Sequence, residues 1–356
     1  MLIGRSPVRI SFAGGGTDLP SYYEQFGGAV LSTSINKYFY TILGRRTDNR
    51  IQVISSDLRV FETWQDIAAM KLEGSELEIP FAVLKELSSH ISVDLFLASE
   101  IPPGTGLGSS ASVCVNILKT LTTYLDQPLS KYELAERAFR IARTVLARHV
   151  GKQDEYASAF GGLNFITFER DGSANVEPLR VETGLIQSLQ NCLMLFFTGA
   201  AHHSWTILEE QEKLTRAHGG AAVDALHEVR SLAYGMRDAL ERGNLGAVGE
   251  LMDKAWQAKK RVSTRISNPR IDHLYDVARW HGALGGKITG AGGGGFLLLY
   301  AEPDTQPGVR KALAEEGLQE MAFVFDFQGA QVIVNDPFID GDARTGSRWT
   351  FVRAAS

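Results

Sequence analysis

Pro103-Gly104-Thr105-Gly106-Leu107-Gly108-Ser109-Ser110-Ala111 sets alternating glycines directly before Ala111, Cys114, Val115, Leu118, Leu121 and Leu125, apolar residues at helical spacing. A glycine loop feeding a helix N-terminus turns unpaired backbone N–H groups and the positive helix end toward one point, which suits a phosphate. Glycine lets the backbone approach phosphate oxygens and adopt positive φ. Ser109 and Ser110, at the helix start, add hydroxyls that cap the helix or reach a phosphate-bound metal. The loop lacks the Gly-Lys-Ser/Thr ending of a P-loop. Ser109 also stands where a dinucleotide fingerprint carries its third glycine, which counts against an oxidoreductase. The plainer reading is a tight strand–helix connection with a serine cap.

Two further glycine runs accompany it. Gly14-Gly15-Gly16-Thr17-Asp18 follows the apolar strand Val8–Ala13, and Lys287-Ile288-Thr289-Gly290-Ala291-Gly292-Gly293-Gly294-Gly295 leads into the strand Phe296–Tyr300. Asp154 lies in Gly151-Lys152-Gln153-Asp154, shortly before Ser158-Ala159-Phe160-Gly161-Gly162. Taken singly these residues have bland roles. Asp154 caps a helix, Asp18 forms an Asx turn, Arg9 pairs on a strand surface, and Lys259-Lys260-Arg261 is a solvated helix face. His202-His203 lacks metal-ligand spacing, and there is no HExxH or paired CxxC.

The elements that must hold these groups alternate unevenly, an α+β order. Strands are expected at Ala29–Ile42, Ile51–Ser55 and Ile91–Ala98, the last with alternating apolar residues. Pro80 opens a helix over Phe81–Ser88. Ser130-Lys131-Tyr132-Glu133 is a capping box whose helix turns Leu134, Ala138, Ile141, Ala142 and Val145 inward. A hairpin joins Gly161–Phe168 to Asn175–Val181. A second unit is expected from Gly184, with a strand over Leu189–Thr198 and helices over Ser204–Ala217, Ala222–Arg242, Leu245–Val262 and from Ile271. The predicted domains are therefore 1–183 and 184–356, with a polar tail from Asp336.

With 356 residues the chain is long for one domain. A net charge of −5 and a pI near 5.9 argue against a nucleic-acid backbone as partner. Cys114 and Cys192 sit among apolar residues and read as core thiols of a reducing compartment. No signal-like apolar stretch opens the chain and no run reaches membrane-spanning length, so a cytoplasmic protein without a membrane partner is expected. A homodimer is compatible with these features.

Pro103–Ala111 closely resembles the phosphate-binding signature of the GHMP kinases, the superfamily of galactokinase, homoserine kinase and mevalonate kinase. Ser6-Pro7-Val8-Arg9-Ile10-Ser11-Phe12-Ala13-Gly14-Gly15-Gly16-Thr17-Asp18 resembles its N-terminal substrate motif, and Lys287–Gly295 its C-terminal glycine loop. The nearest resemblance within the family is to D-glycero-D-manno-heptose 7-phosphate kinases, through Gly151–Asp154, Ala159–Phe165, Trp256–Lys260 and Ile266–Pro269.

The resemblance implies a two-domain α+β fold, with an N-terminal ribosomal-protein-S5-like domain and a C-terminal ferredoxin-like domain. It implies transfer of the γ-phosphoryl group of ATP to a sugar-phosphate hydroxyl, the anomeric one in a heptose 7-phosphate, giving the 1,7-bisphosphate. An unphosphorylated sugar or mevalonate-type alcohol is the alternative acceptor, and a weak nucleotide and sugar sensor is a further one. Carried over by position, Asp154 is the base, and Arg9 keeps it charged or steadies the phosphoryl group. Pro103, Gly104, Gly106, Leu107, Gly108, Ser109, Ser110 and Ala111, with Gly290, Gly292 and Gly293, bind ATP. Gly15, Gly16, Thr17, Asp18, Lys152, Lys259 and Lys260 bind the acceptor, and Ser110 binds Mg2+. Two positions depart from the family. Ala142 or Arg143 stands where the family carries a magnesium-binding glutamate. Ala200-Ala201-His202 follows Thr198-Gly199, where heptose-phosphate kinases tend to carry arginine.

Overall fold

The computed structural model describes residues 1–72, 74–87, 91–199, 204–216 and 220–336. The elements of the first half are β1 (Leu2–Ala13), α1 (Pro20–Phe26), β2 (Gly28–Arg45), β3 (Ile51–Ser55), β4 (Val60–Trp64), α2 (Glu78–Leu87), β5 (Val93–Ser99), α3 (Ser109–Tyr124), α4 (Lys131–Arg140), α5 (Gln153–Phe160), β6 (Leu163–Phe168) and β7 (Ala174–Pro178). Then come α6 (Thr183–Asn191), β8 (Leu193–Phe197), α7 (Ser204–Arg216), α8 (Ala221–Glu241), α9 (Leu245–Lys260), α10 (Pro269–Trp280), β9 (Ala283–Ile288), β10 (Phe296–Ala301), α11 (Gln306–Glu315), β11 (Gln319–Glu320) and β12 (Gln331–Asn335).

Two sheets result. The first runs β12-β1-β2-β5-β3-β4, with β6 and β7 joined to the early part of β2. The 18-residue β2 serves two partners: Gly28–Thr33 pairs with β6 and Phe39–Arg45 with β5, while β1 runs along its other edge. The second sheet is β11-β8-β10-β9, antiparallel throughout. One core packs α2 to α5 on the first sheet. Another joins Val8, Ile10, Phe12 and Phe165 of the first sheet to α8, α9 and the inward face of the second. A third packs α10 and α11 on the far face of the second sheet.

Several expectations shift. Leu189–Asn191 end a helix: Leu185, Ile186 and Leu189 follow helical spacing, and only Leu193–Phe197 are extended. Lys287 and Ile288 belong to β9, so the glycine loop proper begins at Thr289. Val145 is exposed, because α4 passes into a π-turn over Ile141–Val145 that rotates the following residues. β12, from the second half of the sequence, pairs with β1 and so completes the first sheet. The capping box forms as expected: Ser130 Oγ accepts from Glu133 N at 3.2 Å, and Glu133 Oε2 accepts from Ser130 N at 2.8 Å. Among the described residues no helix is long and apolar enough to cross a membrane.

Candidate active site

The two halves meet at their glycine loops. Gly104, Gly106 and Gly108 all have φ near +75 to +79°, a left-handed conformation that makes the chain zigzag into the N-terminus of α3. A methyl group on Gly106 would lie 2.5 Å from the carbonyl oxygen of Thr289, and one on Gly290 would lie 2.8 Å from the Gly106 Cα. Only bare backbone allows this approach. Pro103, Gly104, Gly106, Gly108, Ser109, Ser110, Ala111 and Gly290 line a cleft of about 670 Å³. Leu107 instead turns into the core, and its carbonyl accepts from Arg9 N at 3.0 Å. Gly292 and Gly293 pack on the backbone of Ile266, where Gly293 N donates to its carbonyl at 2.8 Å.

Arg9 rises from β1 beneath the loop. Its Nε donates to Asp154 Oδ1 at 2.8 Å, Nη2 lies 2.6 Å from the same oxygen, and Nη1 donates to the Gly106 carbonyl at 2.7 Å. The Arg9 side chain is 4% exposed and that of Asp154 28%, so the carboxylate is the member that faces the cleft. It covers Gly108: a methyl group there would meet Asp154 Oδ2 at 3.1 Å. α5 delivers Asp154 in its first turn, where helix N–H groups favour an acid.

Asp18 closes the other side. Its Oδ1 accepts from Gly16 N at 2.7 Å and its Oδ2 from Gln153 N at 3.2 Å. Burial, then the charge of Asp154, raises its carboxyl above the usual range, opposed by those backbone bonds. Lys259 donates to the Gly15 carbonyl at 2.9 Å and to Gln211 Oε1 at 3.0 Å, while Gln211 Nε2 donates to the Gly16 carbonyl at 3.1 Å. Burial lowers the Lys259 ammonium to about 8, with Asp18 opposing. Gly16, Asp18 and Lys259 line the cleft. Thr17 is turned inward, its hydroxyl donating to the Gly14 carbonyl at 2.8 Å, and so pins the turn.

Two expected acceptor ligands lie elsewhere. Lys152 donates to Glu136 Oε1 at 2.7 Å and to the Gly172 carbonyl at 2.5 Å, facing away from the cleft. Residues 152 and 154 sit about 200° apart around a helix, which sends their side chains to opposite sides. Lys260 pairs with Asp272 at 3.1 Å, one helical step off the Lys259 face, and Arg261 pairs with Glu228. His202 and His203 lie outside the described residues.

Residue type alone did not single out Gln211, Glu155 or the His149–Glu212–Arg143 group. Glu155 is 2% exposed, and among the described residues its Oε2 has no hydrogen-bond partner. Burial, then the charge of Asp154, pushes its carboxyl well above the usual carboxylate range. Glu212 takes Arg143 at 2.6 Å and His149 at 3.0 Å. Arg143, which with Ala142 stands where the resemblance led to the expectation of an acid, is therefore committed to an ion pair.

Among the described residues no three acidic, histidine or cysteine side chains form a metal cage. Magnesium fits without one, because it takes one or two protein oxygens and completes its shell with phosphates and water. Ser110, exposed at the start of α3 on the cleft wall, has a hydroxyl oxygen that would serve.

Interlocked glycine loops at a helix N-terminus, with a carboxylate held at their edge by a buried guanidinium, form a cleft between two α/β units whose chemistry suits phosphoryl transfer. The model of the GHMP kinases N terminal domain matches residues 78–162, and that of the GHMP kinases C terminal domain matches 236–319. A D-glycero-alpha-D-manno-heptose 7-phosphate kinase of Campylobacter jejuni is 30% identical over 332 residues, covering 92% of this chain and 97% of its own length. The crystal structure of a D-glycero-D-manno-heptose 1-phosphate kinase from Bacteroides thetaiotaomicron superposes with a TM-score of 0.79 at 27% identity, over 95% of this chain and all of that one. A mevalonate kinase of Pyrococcus horikoshii is 28% identical over 76% of this chain and 78% of its own. The chain belongs to the GHMP kinase family, has its two-domain fold and is an ATP-dependent kinase.

Proposed function

We propose that this kinase transfers the γ-phosphoryl group of ATP to the anomeric hydroxyl of a heptose 7-phosphate or a close analogue. The observation that carries the reading is the Arg9–Asp154 pair, set between the phosphate loop and the Asp18–Lys259 turn. ATP phosphates rest on the backbone N–H groups of Gly106–Ser110. The apolar arm of the cleft, with Leu58, Leu77, Ile79 and Pro80, takes the base. Asp18 accepts hydrogen bonds from acceptor hydroxyls, and the Lys259 ammonium faces the acceptor's negative charge.

The acceptor oxygen attacks the γ-phosphorus as the bond from phosphorus to the ADP oxygen breaks. The hydroxyl proton passes to the Asp154 carboxylate, and ADP leaves with the bond electrons. Arg9 fixes the carboxylate on one oxygen and leaves the other free to take the proton. Bound magnesium, held by Ser110 with phosphate oxygens, would neutralise phosphate charge. The free, buried Cys114 and Cys192 support a cytoplasmic setting.

The two heptose-phosphate relatives carry names that differ in where the acceptor already bears phosphate. An unphosphorylated acceptor is the second reading. It is favoured by Arg148 and His149, cleft-lining groups already paired with Glu78 and Glu212. ATP turnover against sugars, sugar 1-phosphates and sugar 7-phosphates separates the two. Turnover confined to a 7-phosphate supports the first reading; equal turnover of the free sugar replaces it with the second.

A further inference from the structure

One buried cation in the interface is unused by the chemistry above. Lys287 lies on β9 opposite Leu298 of β10. Its strand neighbour Ile288 faces the third core with Leu274 and Ala278 of α10, whereas Leu298 belongs to the core shared with the first sheet. Side chains alternate along a strand and directly paired residues share a face, so Lys287 points toward the first sheet and the site. It is 4% exposed, and among the described residues its ammonium has no hydrogen-bond or ion-pair partner.

The charged groups that face it are Lys259 of α9, Arg9 of β1 and Asp18 of the glycine turn. Neither nearby carboxylate bonds it. Asp154 is held by Arg9, and both oxygens of Asp18 accept backbone N–H groups. α10 packs on the opposite face, and β10 presents only Leu298. Three cations thus converge on two engaged carboxylates. A buried ammonium without a partner is costly, so it loses its proton unless an anion arrives.

We propose that Lys287 is a further positioning residue of the phosphoryl-transfer site: neutral in the free enzyme, it takes up a proton when nucleotide phosphates enter, and its charge then joins Arg9 and Lys259 behind the transferring group. Burial, followed by the charges of Lys259 and Arg9, lowers the ammonium to about 7, with Asp18 opposing, so the free side chain is poised to change state. The role rests on the kinase reading of the cleft but not on which acceptor it uses.

The test is calorimetric titration of the full chain with magnesium and a β,γ-methylene analogue of ATP near pH 8, above that free-enzyme value, in Hepes and in Tris. The dependence of heat on buffer counts protons. Protons belonging to the ligand cancel between variants. Uptake should fall by more than half in both Lys287→Met and Lys287→Arg, the remainder belonging to Lys259. In turnover, Lys287→Arg should keep kcat within a few-fold at neutral pH. Lys287→Met should lose on the order of tenfold, less than the about 10²–10³-fold of a direct contact. Uptake equal in wild type and Lys287→Met, or none in wild type, overturns the proposal. The analogue needs no acceptor, so a wrong acceptor assignment leaves this result unchanged.

Discussion

Gly290 and Gly106 touch across the two halves of the molecule, so closely that a methyl group on Gly290 would meet the Gly106 Cα at 2.8 Å. Gly290 also holds φ at +72°. Gly290→Ala should cost about 1–2 kcal/mol for the left-handed residue alone, with the clash in addition. Nucleotide affinity should weaken on the order of tenfold or more. Calorimetry with the ATP analogue checks it; wild-type affinity in a folded variant would show that the loop contact does not shape the phosphate site.

Asp154→Asn keeps the shape of the side chain and removes the proton acceptor. Turnover should fall by about 10²–10⁴-fold, while the affinity for ATP stays within a few-fold. Steady-state rates beside equilibrium binding decide this. Residual turnover within tenfold of wild type would assign the proton to another group.

Lys152 and Lys260 test the placement of side chains against sequence position. Lys152→Met should leave the acceptor KM unchanged but lower stability by about 1–3 kcal/mol, since the buried ammonium's charge-assisted bond to the half-exposed Glu136 is lost. Lys260→Met should change stability by at most about 1 kcal/mol, the range of a half-exposed pair. Thermal melts and KM values read both. A large rise in KM for either would return it to the acceptor site.

Glu155→Gln should stabilise the protein in a pH-dependent way. The folded carboxyl titrates well above its unfolded value. The folded state therefore holds a proton that the unfolded state has released, and the stability Glu155 contributes falls as pH rises from the unfolded value through the folded one. The variant should match wild type in acid and exceed it progressively toward neutral and alkaline pH. Urea titrations across pH measure this, and a constant difference would mean that Glu155 is not buried as a neutral acid.

What the sequence conveys about this site is what local chemistry imposes. Alternating glycines before a serine and a helical run specify a left-handed loop that opens a helix, and the capping box at Ser130 is equally local. Arg9, Asp18 and Asp154 were legible through a motif resemblance, and the structure brings all three to one cleft. The direction of a long side chain is a tertiary property. Lys259 and Lys260 are adjacent and cationic, yet one helical step of about 100° separates a cleft-lining side chain from a surface pair. Lys287 was hidden inside a run that reads as loop, because Gly285 and Gly286 mask the strand that carries it. Gln211 had no signal at all, since its amide matters only where α7 happens to meet Gly16.

The return of β12 to β1 has a consequence for how the molecule is made. Until residues 331–335 have left the ribosome, the backbone of Leu2–Arg5 that they pair with is an open edge, able to recruit other strands. The first sheet is thus begun with β1 and sealed only when β12 is made, so its completion waits on all the residues between them.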